Sequence, residues 1–146
     1  NTTPAVLYTY SAGALSFGIG AGQTGSNDMS VAVKYSTDAY SVALGYEDTG
    51  TTTQTSALAS ATMSGVTIKA KVADKNTAAN NAYALSADYS MSSVAMTAFY
   101  SSSFTKVGSY GVGASYDLGG GATVAGGVSK SEGAKSSFDL GVSMSF

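Results

Sequence analysis

The chain has no cysteine, histidine, tryptophan or arginine, and a single proline. Without Cys or His there is no disulfide framework, no Ser-His-Asp or Cys-His nucleophile, and no imidazole or thiolate metal site. Only carboxylate, hydroxyl and amine chemistry is left, and the expectation is a protein that is not an enzyme and holds neither cofactor nor metal. The positive charges are all lysines, net charge is −2 and there is no basic run, which argues against nucleic acid as a partner. Charged residues make up only 11 % of the chain, against roughly 25 % in soluble domains. With five Phe and 18 Gly there is little bulk to fill a core. No apolar run reaches the roughly 18 residues a membrane helix needs. The chain starts at Asn1 with neither initiator Met nor signal peptide, so we expect a processed or truncated product.

What the chain does have is alternation. From Phe138 to Phe146 every second residue is apolar and those between are polar or tiny, and the same period recurs along nearly the whole sequence. In a strand that period makes one apolar and one polar face. The polar face is Ser, Gly, Ala and Thr, too small and too wet to be a core. If that side is the inside, the apolar side faces lipid, as in an outer-membrane β-barrel. Pro4 precedes the first strand and leaves the later ladders free of a residue lacking an amide donor.

Division at Gly, Asn, Asp and Ser clusters predicts about eleven strands of the roughly 9–11 residues a tilted membrane strand needs. They cover 5–12, 14–23, 29–36, 39–48, 55–64, 66–74, 82–91, 93–103, 109–118, 121–130 and 136–146. Tight connectors (Ala12-Gly13, Thr37-Asp38, Gly65, Ser92, Gly119-Gly120) alternate with looser ones (Thr24 to Asp28, Gly50 to Gln54, Lys75 to Asn81, Phe104 to Gly108, Ser131 to Lys135). Short turns would then lie on the periplasmic rim and longer loops on the other. An odd strand number cannot close by antiparallel pairing, so strands are expected to be missing from the front.

The charges Lys34, Glu47, Lys69, Lys71, Asp88, Asp117 and Asp139 are expected on the polar face as pore-lining candidates, and all in-strand charge is expected there. A lysine on the lipid face at mid-depth would cost roughly 2–4 kcal/mol. On the apolar face two aromatic girdles are expected. Tyr35, Tyr40, Tyr89 and Tyr116 with Phe146 form one near the short turns; Tyr46, Tyr83, Tyr100 and Tyr110 with Phe138 form the other near the loops.

Three further patterns invite chemistry. Gly20-Ala21-Gly22-Gln23-Thr24-Gly25 fits G-x-G-x-x-G but leads into another strand, not the helix a dinucleotide site requires. Gly119 to Gly121 reads as turn chemistry. Asp117 and Asp139 lack the apolar pocket that would separate an acid from a base, and loop carboxylates such as Asp48 and Glu132 lack calcium-loop spacing.

Pro4-Ala5-Val6-Leu7-Tyr8-Thr9-Tyr10-Ser11-Ala12-Gly13-Ala14 resembles the strand after the constriction loop of alphaproteobacterial general porins. Tyr110-Gly111-Val112-Gly113-Ala114-Ser115-Tyr116-Asp117-Leu118-Gly119-Gly120-Gly121-Ala122 resembles their penultimate hairpin, and Asp139-Leu140-Gly141-Val142 through Phe146 their closing strand. The resemblance implies strands six to sixteen of a sixteen-stranded, trimeric, transmembrane antiparallel up-and-down β-barrel, which accounts for eleven. It further implies a water-filled channel for passive diffusion of small hydrophilic solutes and ions in the outer membrane of a Gram-negative bacterium. The implied partners are outer-membrane lipid, two further copies of the chain, and the insertion machinery, which would read Phe146 as an assembly signal. The constriction loop lies outside the chain and there is no arginine, so the arginine-rich wall of such channels does not carry over; Lys69 and Lys71 lie nearest mid-wall. A small barrel or surface adhesin with a structural or binding role remains the alternative, marked by an even strand set and a lumen plugged by bulky side chains. A soluble β-solenoid would need a fixed repeat, which the variable segment lengths do not provide.

Overall fold

The computed structural model describes residues 6–22 and 28–145. Within them lies one eleven-stranded sheet in which each strand pairs antiparallel with its neighbours in sequence. The strands are β1 (Val6–Ala12), β2 (Leu15–Ala21), β3 (Met29–Ser36), β4 (Tyr40–Asp48), β5 (Thr53–Met63), β6 (Val66–Lys75), β7 (Ala82–Met91), β8 (Val94–Ser102), β9 (Gly108–Gly119), β10 (Ala122–Ser131) and β11 (Ser137–Met144). Every predicted strand is present. The ends move by one or two residues, as for β5, which starts at Thr53 because Thr53 and Gln54 pair with Asp48 and Glu47. The sequence predictions for Pro4, for Phe146 and for the segment Gln23 to Asn27 fall outside the described residues.

Among the described residues no second layer packs on either face. Among the described apolar residues only Ala73 is buried, at 7 % exposure, and there is no helix. Large side chains such as Ile19, Leu44, Ile68, Leu85, Val112 and Leu140 stand open on one face. A single sheet with a contiguous apolar face holds together in water only if something covers that face. Each tight turn bonds sideways into the next strand, as Thr62 N to Ala39 O (2.7 Å), Ser90 N to Gly65 O (3.0 Å) and Asp117 N to Ser93 O (2.8 Å).

Turn chemistry explains the tight rim. Ser64 and Gly65 have φ of 51° and 81°, the left-handed pair of a two-residue hairpin whose twist matches the strands. Gly119, Gly120 and Gly121 all have positive φ, and the register shifts between Ala122 and Thr123. A bulge at Leu118 therefore sits in β9 just before that turn, and Asp117 Oδ1 accepts from Gly119 N at 2.8 Å to fix it.

Gly111 is needed for a different reason. A Cβ there would lie 2.7 Å from the Phe99 ring and 2.9 Å from the Val128 carbonyl oxygen, so the ring covers the bare backbone of the next strand. Gly111→Ala should cost roughly 1–3 kcal/mol, the usual penalty of forced overpacking. Thermal unfolding of the full-length protein would show it, and an unchanged midpoint would mean that the ring swings clear.

Candidate functional site on the polar face

Paired residues in a sheet share a face, so the registers place the charges without appeal to side-chain direction. Lys34 pairs with Ser16 and Ala43, and Glu47 with Ser30 and Gln54. Lys69 pairs with Ser60 and Ser86, and Lys71 with Leu58 and Ala84. Asp88 pairs with Thr67 and Thr97, Asp117 with Thr123, and Asp139 with Gly127. All seven stand on the face built of Ser, Gly, Ala and Thr.

Hydroxyl pairs across strands satisfy much of that face: Ser11 with Ser16 (3.1 Å), Ser41 with Ser60 (3.1 Å), Thr62 with Thr67 (2.9 Å) and Ser109 with Ser131 (2.7 Å). An ionic contact also crosses it. Lys69 Nζ donates to Asp88 Oδ2 at 3.0 Å, and Thr97 Oγ1 donates to Asp88 Oδ1 at 2.7 Å. Lys69 and Asp88 are diagonal neighbours, since Lys69 sits opposite Ser86 and Asp88 opposite Thr67. The carboxylate is thus held from the strands on both sides. Both side chains remain about half exposed, so the contact orders the lysine more than it stabilises the fold.

Asp117 and Asp139 have no common partner among the described residues; the first braces a turn and the second stands beside Gly127. At the loop rim Asp48 Oδ1 accepts from Gly50 N within its own turn (2.8 Å), and Glu132 Oε2 accepts from Gly108 N across strands (3.4 Å). The loop rim is stitched sideways by Thr53 N to Asn76 Oδ1 (3.1 Å) and Asn80 Nδ2 to Phe104 O (3.4 Å).

The expectation that all in-strand charge lies on the polar face requires correction. By register Asp48 (opposite Met29), Asp74 (opposite Thr55) and Lys130 (opposite Tyr110) continue the apolar face. All three stand at loop-side strand ends, where a charge reaches water, so the penalty of mid-depth does not apply.

The register also places the tyrosines. Tyr35 and Tyr40 stand at the short-turn end with rings 6.0 Å apart, and Tyr89 and Tyr116 oppose Val66 and Val94 at the same end. At the loop end Tyr83 and Tyr100 lie 5.9 Å apart, Tyr110 pairs with Tyr100, and Tyr46 opposes Thr55. Two features of the polar face escape a reading by composition: Leu58 opposite Lys71, and the tie between Lys69 and Asp88. Parity alone would have found Leu58, which follows Gln54 and Ser56 at the same phase; the tie depends on inter-strand register.

A family model described as Gram-negative porin matches residues 1–136. The chain is 32 % identical over 185 residues to a porin of Rhodobacter capsulatus, covering 98 % of the chain and 62 % of that protein. It superposes on a solved porin with TM-score 0.77 and 30 % identity, covering 96 % of the chain and 60 % of that structure. A Rh. blastica porin mutant (TM-score 0.73, 22 % identity, 93 % and 53 % coverage) and a loop-deleted outer membrane protein OmpT of Vibrio cholerae (0.68, 14 %, 93 % and 60 %) share the fold. The chain thus spans about three fifths of the curated relative it matches.

Proposed function

Because this chain belongs to the Gram-negative porin family, a family of the bacterial outer membrane, we propose that it forms strands six to sixteen of a sixteen-stranded channel. Three such barrels form a homotrimer that passes small hydrophilic solutes and ions by diffusion and carries out no chemistry. The observation supporting this is the inverted sheet: the charges away from the loop-side strand ends share one face with most serines and threonines, while nearly every large apolar side chain stands exposed on the other. Small side chains on the polar face leave a water-filled lumen, whereas an adhesin's lumen would be plugged. Lys34, Glu47, Lys69, Lys71, Asp88, Asp117 and Asp139 line it, and the two rows of tyrosines sit at the lipid headgroups.

In planar bilayers the full-length protein should give discrete steps whose conductance rises with bulk salt, and liposomes containing it should swell in small sugars but not in large ones. A correctly folded barrel that conducts nothing would leave a structural role.

Phe146 belongs to the same reading. A terminal aromatic following Phe138, Leu140, Val142 and Met144 suits capture of the last strand by strand addition to the insertion machinery. Deleting Phe146 from the full-length protein should lower the assembled amount in cells and leave the unit conductance of surviving channels unchanged. Normal assembly would reduce Phe146 to a girdle residue.

A further inference from the structure

The polar face is small at almost every position; among the described residues Leu7, Leu58 and Phe99 are the large apolar exceptions. Two of the three flank the lysines. Leu58, Lys69, Lys71, Ala84, Ser86 and Phe99 border a notch of about 200 Å³, and roughly 150 Å³ suffices for a benzene ring. Its floor is Ala84 and Ser86 on β7. Lys71, backed by Leu58, rises on one side and Phe99 on the other, two strand spacings or about 10 Å apart. The Phe99 ring leans outward over Gly111, which leaves that floor uncovered.

The two lysines are not equivalent. Lys69 is held by Asp88 at 3.0 Å. The direct and diagonal neighbours of Lys71 are Leu58, Ala84, Ser56, Ser60, Ala82 and Ser86, none of them a carboxylate. The notch therefore offers one uncompensated ammonium group facing an apolar ring across a small, partly hydroxylated floor.

We propose that this notch is a docking station for small aryl carboxylates, with the carboxylate on Lys71 and the ring against Phe99 and Leu58. The proposal deepens the channel reading and rests on it, since the notch would be reached from the lumen. An inorganic anion uses only the lysine and an aliphatic acid has no ring to place. Benzoate and acetate therefore carry the same charge but should differ in retention.

Benzoate and acetate binding can be followed by ligand-observed NMR on the full barrel in lipid nanodiscs, with NaCl conductance recorded separately to judge the channel reading. Benzoate should bind the parent more tightly than acetate. Lys71→Gln and Phe99→Leu should each weaken benzoate roughly two- to tenfold, the range for loss of one aromatic or exposed charge contact, and Phe99→Leu should leave acetate unchanged. Phe99→Leu keeps apolar cover over Gly111, and Lys71 is exposed, so both variants should fold. Equal benzoate binding in parent and both variants overturns the notch even in a channel that conducts; loss of NaCl conductance with intact benzoate discrimination overturns the channel and keeps the notch.

Discussion

Refolded alone into a planar bilayer, residues 1–146 should give no uniform single-channel steps. The sheet runs from β1 to β11, and among the described residues neither end strand has a second partner. Each edge presents alternate N–H and C=O groups outward. In hydrocarbon an unsatisfied backbone group costs several kcal/mol, so an open sheet spanning the bilayer is strongly disfavoured. Joining the two edges would not restore the barrel. With an odd number of antiparallel strands, β1 and β11 both run toward the tight-turn rim, so closure would have to be parallel. Irregular or aggregated current is expected from the isolated chain, and well-defined steps from a full-length protein. Reproducible steps of one size from monomeric chain would mean that eleven strands close, and would overturn the sixteen-strand reading.

The period of two made the strands and their two faces legible, because parity depends only on local sequence. Runs such as Leu15, Phe17 and Ile19 against Ser16, Gly18 and Gly20 leave one choice of face, and the paired neighbours Val33, Val31 and Lys34, Ala32 agree with it. Turns were legible where glycine marked them and also where a break in the alternation did, as at Ser92, a non-glycine residue with φ of 54°. What parity could not show is which residues meet across strands. The contact of Lys69 with Asp88, the cover of Phe99 over Gly111 and the mouth of the notch all depend on inter-strand register. Outward charge was missed at Asp48, Asp74 and Lys130 because depth matters as well as parity. A strand end on the apolar face stands near water although its phase is that of lipid.

Register also sets the expected size of the last effect. Replacing both Lys69 and Lys71 with Glu in the full-length channel should shift the zero-current potential in a KCl gradient toward cations. The two lysines stand about 7 Å apart on one strand face, and the double change removes two positive charges and adds two negative ones beside Asp88. Their field reaches about 10 Å at 0.1 M salt and about 3 Å at 1 M. Near the wall at the lower salt, four unit charges correspond to roughly a threefold change in the local concentration of each ion. The shift should therefore be clear at 0.1 M and nearly lost at 1 M, and unit conductance should change much less. Because Asp88 offsets Lys69, Asp88→Asn should move the potential the other way by a smaller amount. Replacing Lys69 and Asp88 together with Gln and Asn should leave it near the parent value. An unmoved potential at low salt in the double lysine variant would make these residues bystanders in a wide lumen. Failure of that variant to fold, with Asp88→Asn folding normally, would place the lysines against protein or lipid and put the register of β6 off by one residue.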